Sequence, residues 1–231
     1  MEMRFRVDVA ALTPQMEWPD VHGAARGVIY DLVRGQDSAL ATELHDIGWN
    51  GTPLRPLGLC PPVFPGAPRK KGTYATSNRG MLRLGSPVPR IAACLLAGLG
   101  GANELRWGRT PLRVNGVQME APPEHSSGVA VFETVSPVVL KHDDRFLLPE
   151  DTGYEERLAH NIRHKADALG VASETEVEVL KAGHRRMFRA GKGLRIGAPL
   201  TVRVHASPAL LDALYDWGLG LANNQGFGWV K

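Results

Sequence analysis

Three side chains near the start of the chain are of types that can move protons at neutral pH: His22, Tyr30 and His45. Tyr30 belongs to a set, Gly23, Arg26, Tyr30 and Arg34, whose members lie three or four positions apart. On a helix these share one side, opposite an apolar stripe of Val21, Ala25, Val28 and Leu32. An aromatic hydroxyl between two arginines suits contact with a phosphodiester backbone. The same spacing is met by a surface tyrosine whose ring covers its neighbours. His45 falls near the C-terminal end of a second, shorter helix, where the helix dipole favours the charged imidazole. It could serve as a base or an acid, or be a plain surface histidine. His160 and His164 stand four apart and could share a metal, but no Glu adjoins His160 and no third ligand is evident. With Arg163 and Lys165 beside them, a solvated basic helix face is the better account. No P-loop, G-x-S-x-G elbow or H-E-x-x-H helix occurs.

Two further stretches suit an anionic ligand. The segment "WGLGLANNQGFGWVK" holds Gly218, Gly220, Gly226 and Gly228 in two G-x-G pairs, interleaved with Leu219, Leu221, Phe227 and Trp229. Large apolar side chains argue against a flexible tail. Glycines here either expose backbone N–H groups to phosphate or make a tight turn into a last strand. "HRRMFRAGKGLR" concentrates Arg185, Arg186, Arg189, Lys192 and Arg195 without an acidic residue, and "PRKK" adds Lys70 and Lys71.

These residues need elements to hold them. The 231 residues suffice for one large or two small domains, with 43% hydrophobic and 22% charged residues as in soluble globular proteins. Net charge is only +3. Two distant cysteines, Cys60 and Cys94, read as reduced core thiols of a cytoplasmic protein. No run is long enough to span a bilayer, and no signal peptide opens the chain. The alternation in "MRFRVDV" predicts a half-buried strand with Arg4 outward. One amphipathic helix is expected over "PDVHGAARGVIYDLVRG", and a second over "DSALATELHDIG", capped by Asp37 with Leu40, Leu44 and Ile47 inward. Strand at 73–84, helix at 88–99 and strand at 104–120 complete a first half. The second half repeats the order: strand at "GVAVFETVSPVVLK", helix at "YEERLAHNIRHKADALG", strands near 175–181, 184–190 and 194–205, helix at "SPALLDALYDWG", and "GFGWVK" as a final strand. Each half reads β-α-β-β-α-β, so the expected fold class is α+β, two tandem ferredoxin-like domains over 1–124 and 125–231. "SPVPRIAACLLAGLG" and "SPALLDALYDWGLG" echo each other at matching places, which favours duplication.

Four segments together carry a resemblance to a known family: "GVIYDLV…LATELHD", "SPVVL" with "YEERLAHNIRHKADAL", "HASPALLDALYDWGLG", and the terminal G-x-G-x5-G-x-G. The chain resembles the CRISPR-associated endoribonucleases that cut precursor CRISPR RNA within its repeats, the Cas-six family of the RAMP superfamily. The resemblance implies two ferredoxin-like domains and RNA cleavage that needs neither metal nor cofactor, the 2′-hydroxyl attacking the scissile phosphate to leave a 2′,3′-cyclic phosphate and a 5′-hydroxyl. It assigns the catalytic roles of a first-helix Tyr and a following His to Tyr30 and His45. The family's third residue, a Lys shortly beyond, has no counterpart here; Arg55 is the nearest cation and is taken in its place, suited to transition-state charge and not to proton donation. His22 is the alternative catalyst. The glycine loop is expected against the first helix region, with Gly218, Gly220, Gly226 and Gly228 shaping RNA contacts and Arg26, Arg34, Lys70, Lys71, Arg185, Arg186, Arg189, Lys192 and Arg195 supplying charge. The implied partner is CRISPR repeat RNA, precursor and mature, with effector-complex subunits or a second copy of the chain as further partners. A non-catalytic RNA-binding RAMP subunit would use the same fold and loop. A nucleotide-metabolising enzyme is the weakest reading, for want of a Walker lysine.

Overall fold

The computed structural model describes residues 3–68, 71–190 and 193–231. The first half runs β1 (Arg4–Ala11), β2 (Gln15–Met16), α1 (Trp18–Gly23), α2 (Ala25–Arg34), α3 (Ser38–Asp46), β3 (Gly58–Val63), β4 (Tyr74–Ala75), β5 (Gly80–Gly85), α4 (Pro89–Gly100), β6 (Glu104–Trp107) and β7 (Thr110–Met119). The second runs β8 (Val129–Glu133), β9 (Leu140–His142), β10 (Arg145–Leu147), α5 (Tyr154–Leu169), β11 (Glu176–Ala182), β12 (Arg186–Ala190), β13 (Gly193–Gly197), β14 (Leu200–His205) and α6 (Pro208–Trp217). A 3₁₀ turn follows at Asn223–Gln225.

The antiparallel order β3-β5-β1-β7-β6 puts the first strand of the half in the middle, as a ferredoxin-like sheet requires, with β6 as an added edge. The second sheet is β11-β14-β8. Its fourth place, beside β8, is taken by the end of the chain through a single bridge, Thr134 to Val230. The expected final strand over "GFGWVK" is thus one bridge long, because the left-handed backbone at Gly226 and Gly228 cannot continue a strand. The fold is α+β, tandem ferredoxin-like. Each half has its own apolar core, one built from Phe5 to Leu112 and the other from Ala130 to Val230.

Several local expectations change. The first helix is broken in two at Ala24, where the bond from Ala24 N to Asp20 O stretches to 3.5 Å. The Trp107 indole N–H donates to that same carbonyl at 3.0 Å and competes for it. The β-run expected over 194–205 is two strands: β13 pairs with β12 and β14 with β11, the chain changing sheets at Ala198 and Pro199. Asp37 does cap α3, accepting from Leu40 N at 2.9 Å, but Ile47 is 59% exposed, since it caps the helix instead of continuing its stripe.

Arg4 is the largest departure from the strand pattern. It is 2% exposed, because the outer face of β1 at that end is covered by the chain's other terminus. Its guanidinium donates to Tyr215 O at 2.9 Å and Val230 O at 2.6 Å, pairs with Glu120, and lies over the rings of Tyr215 and Trp229. The Ser-Pro echo ends at equivalent helices, α4 and α6. Ser207 caps α6, whereas α4 starts two residues later, with Val88 at the cap and Pro89 leading the helix. Among the described residues, no helix is long and apolar enough to cross a membrane.

Candidate RNA-cleaving site

The terminal loop is where the two halves meet. All four glycines take left-handed backbone, at φ of +94° for Gly218, +69° for Gly220, +87° for Gly226 and +66° for Gly228. They also stand where a side chain would collide. A Cβ on Gly228 would lie 1.8 Å from Leu219 O, one on Gly220 2.6 Å from Val139 O, and one on Gly226 2.6 Å from the Pro61 ring. The glycines are therefore buried hinges of a closed knot, and none presents itself as an open phosphate cradle. Leu219 N donates to Gly228 O and Leu221 N to Val139 O. The loop does lie against the first helix region, as expected: Gln225 O accepts from His22 Nδ1 at 3.1 Å.

Inside the knot, Asn223 Nδ2 donates to Leu219 O at 2.9 Å and Phe227 O at 3.0 Å, tying the two arms together. Its Oδ1 accepts from Lys165 Nζ at 2.8 Å, and the same ammonium donates to Gly218 O at 2.6 Å. Lys165 is thus 1% exposed, and the solvated helix face expected for it is limited to His160, Arg163 and His164 on the outer turns of α5. A lysine at that helical position, facing inward with Ile162 and Ala166, was readable as buried; the polar partner that keeps it there comes from 58 residues further on.

Beside the knot lies a cavity of about 380 Å³, walled by Arg26, Arg55, Lys141, Lys165 and Arg195, the Trp217 face, and residues 220–225. No carboxylate lines it. Arg26 and Arg55 come from the first half and the other three cations from the second. Arg195 is held by Gln225 Oε1 at 3.1 Å.

Tyr30 and His45 adjoin this cavity without lining it, their ring centroids 5.7 Å apart and edge to face. The exposed helix side predicted for Gly23, Arg26, Tyr30 and Arg34 is not kept at Tyr30, which is 3% exposed because α3 folds back over it. Its hydroxyl donates to Leu44 O at 3.1 Å. Burial pushes its phenol up in pKa, against the pull of Arg55 and Arg26. His45 is half exposed, and its Nδ1 lies 2.8 Å from Asp46 Oδ1. With Nδ1–H donating to that carboxylate, the ring presents Nε2 to solvent. Asp46 was overlooked in the sequence, although its adjacency to His45 was the available signal. Arg55 donates to His45 O and to Pro53 O, both at 2.7 Å, and its buried Nε has no partner. It joins the His45 backbone to the cavity wall.

His22 is elsewhere. Its ring stacks on Phe227 at 4.3 Å and meets the edge of Phe188 at 4.6 Å. It is 5% exposed, and burial lowers its pKa to about 4. A histidine so held is neutral at pH 7, and it lines a second cavity with Arg26, Arg195 and Gln225. Arg34 pairs with Asp31 at 2.9 Å and does not line the cavity. The β12–β13 hairpin carries Arg185, Arg186 and Arg189 exposed. Lys71 and Arg186 rim a separate groove with Trp18, Phe64 and Tyr74. Lys70 and Lys192 lie outside the described residues.

The fold is that of two tandem ferredoxin-like halves with a cationic cleft between them. Residues 120–231 match the family model "CRISPR associated protein Cas6, C-terminal". A CRISPR-associated endoribonuclease Cas6 of Pyrococcus furiosus is 28% identical over 214 residues, covering 89% of this chain and 80% of the relative. A Cas6 endoribonuclease of Methanocaldococcus jannaschii is 26% identical over 173 residues, 70% and 67% of the two chains. Among solved structures, a Cas6-related protein from Pyrococcus furiosus superposes with a TM-score of 0.81 at 18% identity, over 99% of this chain and 97% of that one. A structure described as an RAMP protein binding different RNA substrates gives 0.79 at 20% identity, over 99% and 98%. These superpositions bear on the fold.

Proposed function

We propose that this chain cuts precursor CRISPR RNA within its repeats, without a metal ion, leaving a 2′,3′-cyclic phosphate and a 5′-hydroxyl. The observation that carries the reading is the juxtaposition of a cavity walled by five cations and no acid with a His45–Asp46 pair joined to it through Arg55. Its named relatives are CRISPR-associated endoribonucleases, which supports the same reading.

In this scheme the 2′-oxygen forms a bond to phosphorus as the bond to the 5′-oxygen breaks. Nε2 of His45 takes the proton of the 2′-hydroxyl or, when protonated, gives one to the leaving 5′-oxygen. Asp46 fixes the ring tautomer and orientation, as a carboxylate does behind a catalytic histidine. Arg55 lies with Arg26 and Arg195 where the charge of the phosphorane develops. Tyr30 acts through position, holding the Leu44 carbonyl one residue before His45. The exposed arginines of the β12–β13 hairpin supply phosphate contacts that give affinity and register.

A second reading, an RNA-binding subunit that does not cut, is favoured by one observation: the Tyr30 hydroxyl is already committed to Leu44 O. One experiment separates the two. Purified protein is incubated with its host's repeat RNA in EDTA, and the product ends are mapped. Cleavage at one site with a cyclic phosphate is expected; tight binding without cleavage, with or without added divalent ions, overturns the nuclease reading.

A further inference from the structure

Trp18, the first residue of α1, is 47% exposed and lines a groove of about 660 Å³ that the cleavage scheme leaves unused. The Tyr74 ring lies 5.2 Å from it, nearly perpendicular, and Phe64 lies 6.5 Å from Tyr74. The perpendicular contact leaves a broad surface of the indole open. Tyr74 and Phe64 are fixed in place. The Tyr74 hydroxyl donates to Pro62 O at 2.7 Å, and its strand pairs with β2 at Met16. Phe64 packs on the bare backbone of Gly80, where a Cβ would lie 2.4 Å from the ring. Lys71 and Arg186 rim the groove, and among the described residues no carboxylate lines it. Glu17, next to Trp18 in the chain, is taken by Arg109. In the groove wall the Thr73 hydroxyl oxygen is enclosed, without a hydrogen-bond partner among the described residues.

We propose that this groove holds one unpaired nucleotide of the RNA, outside the cleavage cleft, with its base stacked on Trp18 and its phosphate met by Lys71 and Arg186. The inference rests on the reading above that the chain binds repeat RNA. Aromatic faces combined with cations are what single-stranded nucleic acid binds, the rings taking bases of any sequence and the charges tracking the backbone. A paired base keeps its faces within the helix stack, so the occupant is single-stranded. An anchor site for another protein shares the rings, but lysine is depleted at such interfaces. The groove also lies on a route from the cleft. His22, four residues or about 6 Å of helix beyond Trp18, meets Phe188 and lines the cavity of Arg26 and Arg195. Arg186, two residues before Phe188 on β12, reaches the groove. A strand that leaves the cleft across the basic hairpin is thereby led to Trp18.

The test is an abasic scan of repeat RNA that carries a 2′-deoxy nucleotide at the cleavage position. Single bases are removed in turn, and each RNA is bound to wild type, Trp18→Ala and Trp18→Phe. Removing one particular unpaired base should weaken wild-type binding by roughly 5- to 150-fold, the range that stacking of one base on an aromatic ring supplies. Trp18→Ala should lose a similar factor with intact RNA and nothing further with that abasic RNA, and Trp18→Phe should recover most of the loss. Wild-type affinity in Trp18→Ala, or an equal loss on every abasic RNA, overturns the inference and leaves RNA binding standing. Wild-type affinity joined to the loss of a wild-type dimer in sedimentation assigns the groove to a second copy of the chain instead. An RNA that wild type does not bind at all overturns the functional reading and this one with it. Should Trp18→Ala fail to fold, tryptophan fluorescence decides. RNA should quench an emission component of wild type that Trp18→Phe lacks, and equal quenching in the two overturns the inference.

Discussion

His22 should make the joint between the two halves sensitive to acid, by an amount that follows from its surroundings. Its imidazole is sandwiched between Phe227 and Phe188, with Nδ1–H donating to Gln225 O, and is held neutral down to about pH 4. In the unfolded chain the ring titrates near 6.5. Above pH 6.5 both states are neutral and the full contribution is present. Between about 6.5 and 4 the unfolded state binds a proton that the native state refuses, so stability falls by about 1.4 kcal/mol per pH unit. The whole interval corresponds to about 3 kcal/mol, and the portion down to pH 5 to about 2 kcal/mol. The assay is urea unfolding at pH 7 and pH 5 of wild type and His22→Gln, which keeps an N–H donor and cannot titrate. Wild type should lose about 2 kcal/mol more than the variant between the two pH values. Equal losses would refute the claim that this ring is enclosed and neutral. The same variant separates the two histidines, since cleavage at pH 7.5 should survive in His22→Gln if His45 is the proton-transfer group.

His45→Ala should lower single-turnover cleavage by roughly 10²–10⁴-fold with little change in RNA affinity, whereas a wild-type rate would refute its role. Tyr30→Phe removes the donor to Leu44 O, so thermal unfolding should show a loss of about 1 kcal/mol, and cleavage should fall less than in His45→Ala. Reversing charge at Arg185 and Arg189 should weaken repeat binding and flatten its salt dependence; an unchanged slope in a folded double variant would remove the hairpin as a contact. Gly228→Ala combines a left-handed backbone, costing about 1–2 kcal/mol, with a Cβ driven into Leu219 O, and soluble yield and melting temperature should both drop.

The fold was largely legible because its signals are local. Alternation in β1, the Asp37 cap and the glycine pairs each act over a few residues. Tyr30 shows where such reasoning stops. Helical spacing put it opposite the Val21–Leu32 stripe correctly, yet it is buried, because α3 returns over that side and nothing in the spacing of α2 reports this. Arg4 and Lys165 are cations whose burial depends on acceptors far along the chain, Tyr215 O and Val230 O for Arg4 and Gly218 O and Asn223 Oδ1 for Lys165. His45 and Arg55 are brought together through a backbone carbonyl, a contact without a side-chain signature. The glycines were recognised as conformationally necessary, but their demand for space was invisible without the opposing strands.

The grip of Arg4 on Val230 O has a consequence for synthesis. The two residues are 226 positions apart, so on a ribosome adding about 5–20 residues per second the guanidinium waits roughly ten to forty-five seconds for its acceptor. The cavity waits as long, since the loop forming one wall, residues 220–225, is translated after every strand of both sheets. A nascent chain that has already folded its first half thus exposes Arg26 and Arg55 without the wall that turns them into a site. A chain ending between the last sheet strand and residue 220 would hold every strand of both sheets and lack the wall, residues 220–225, that joins these cations into one cleft.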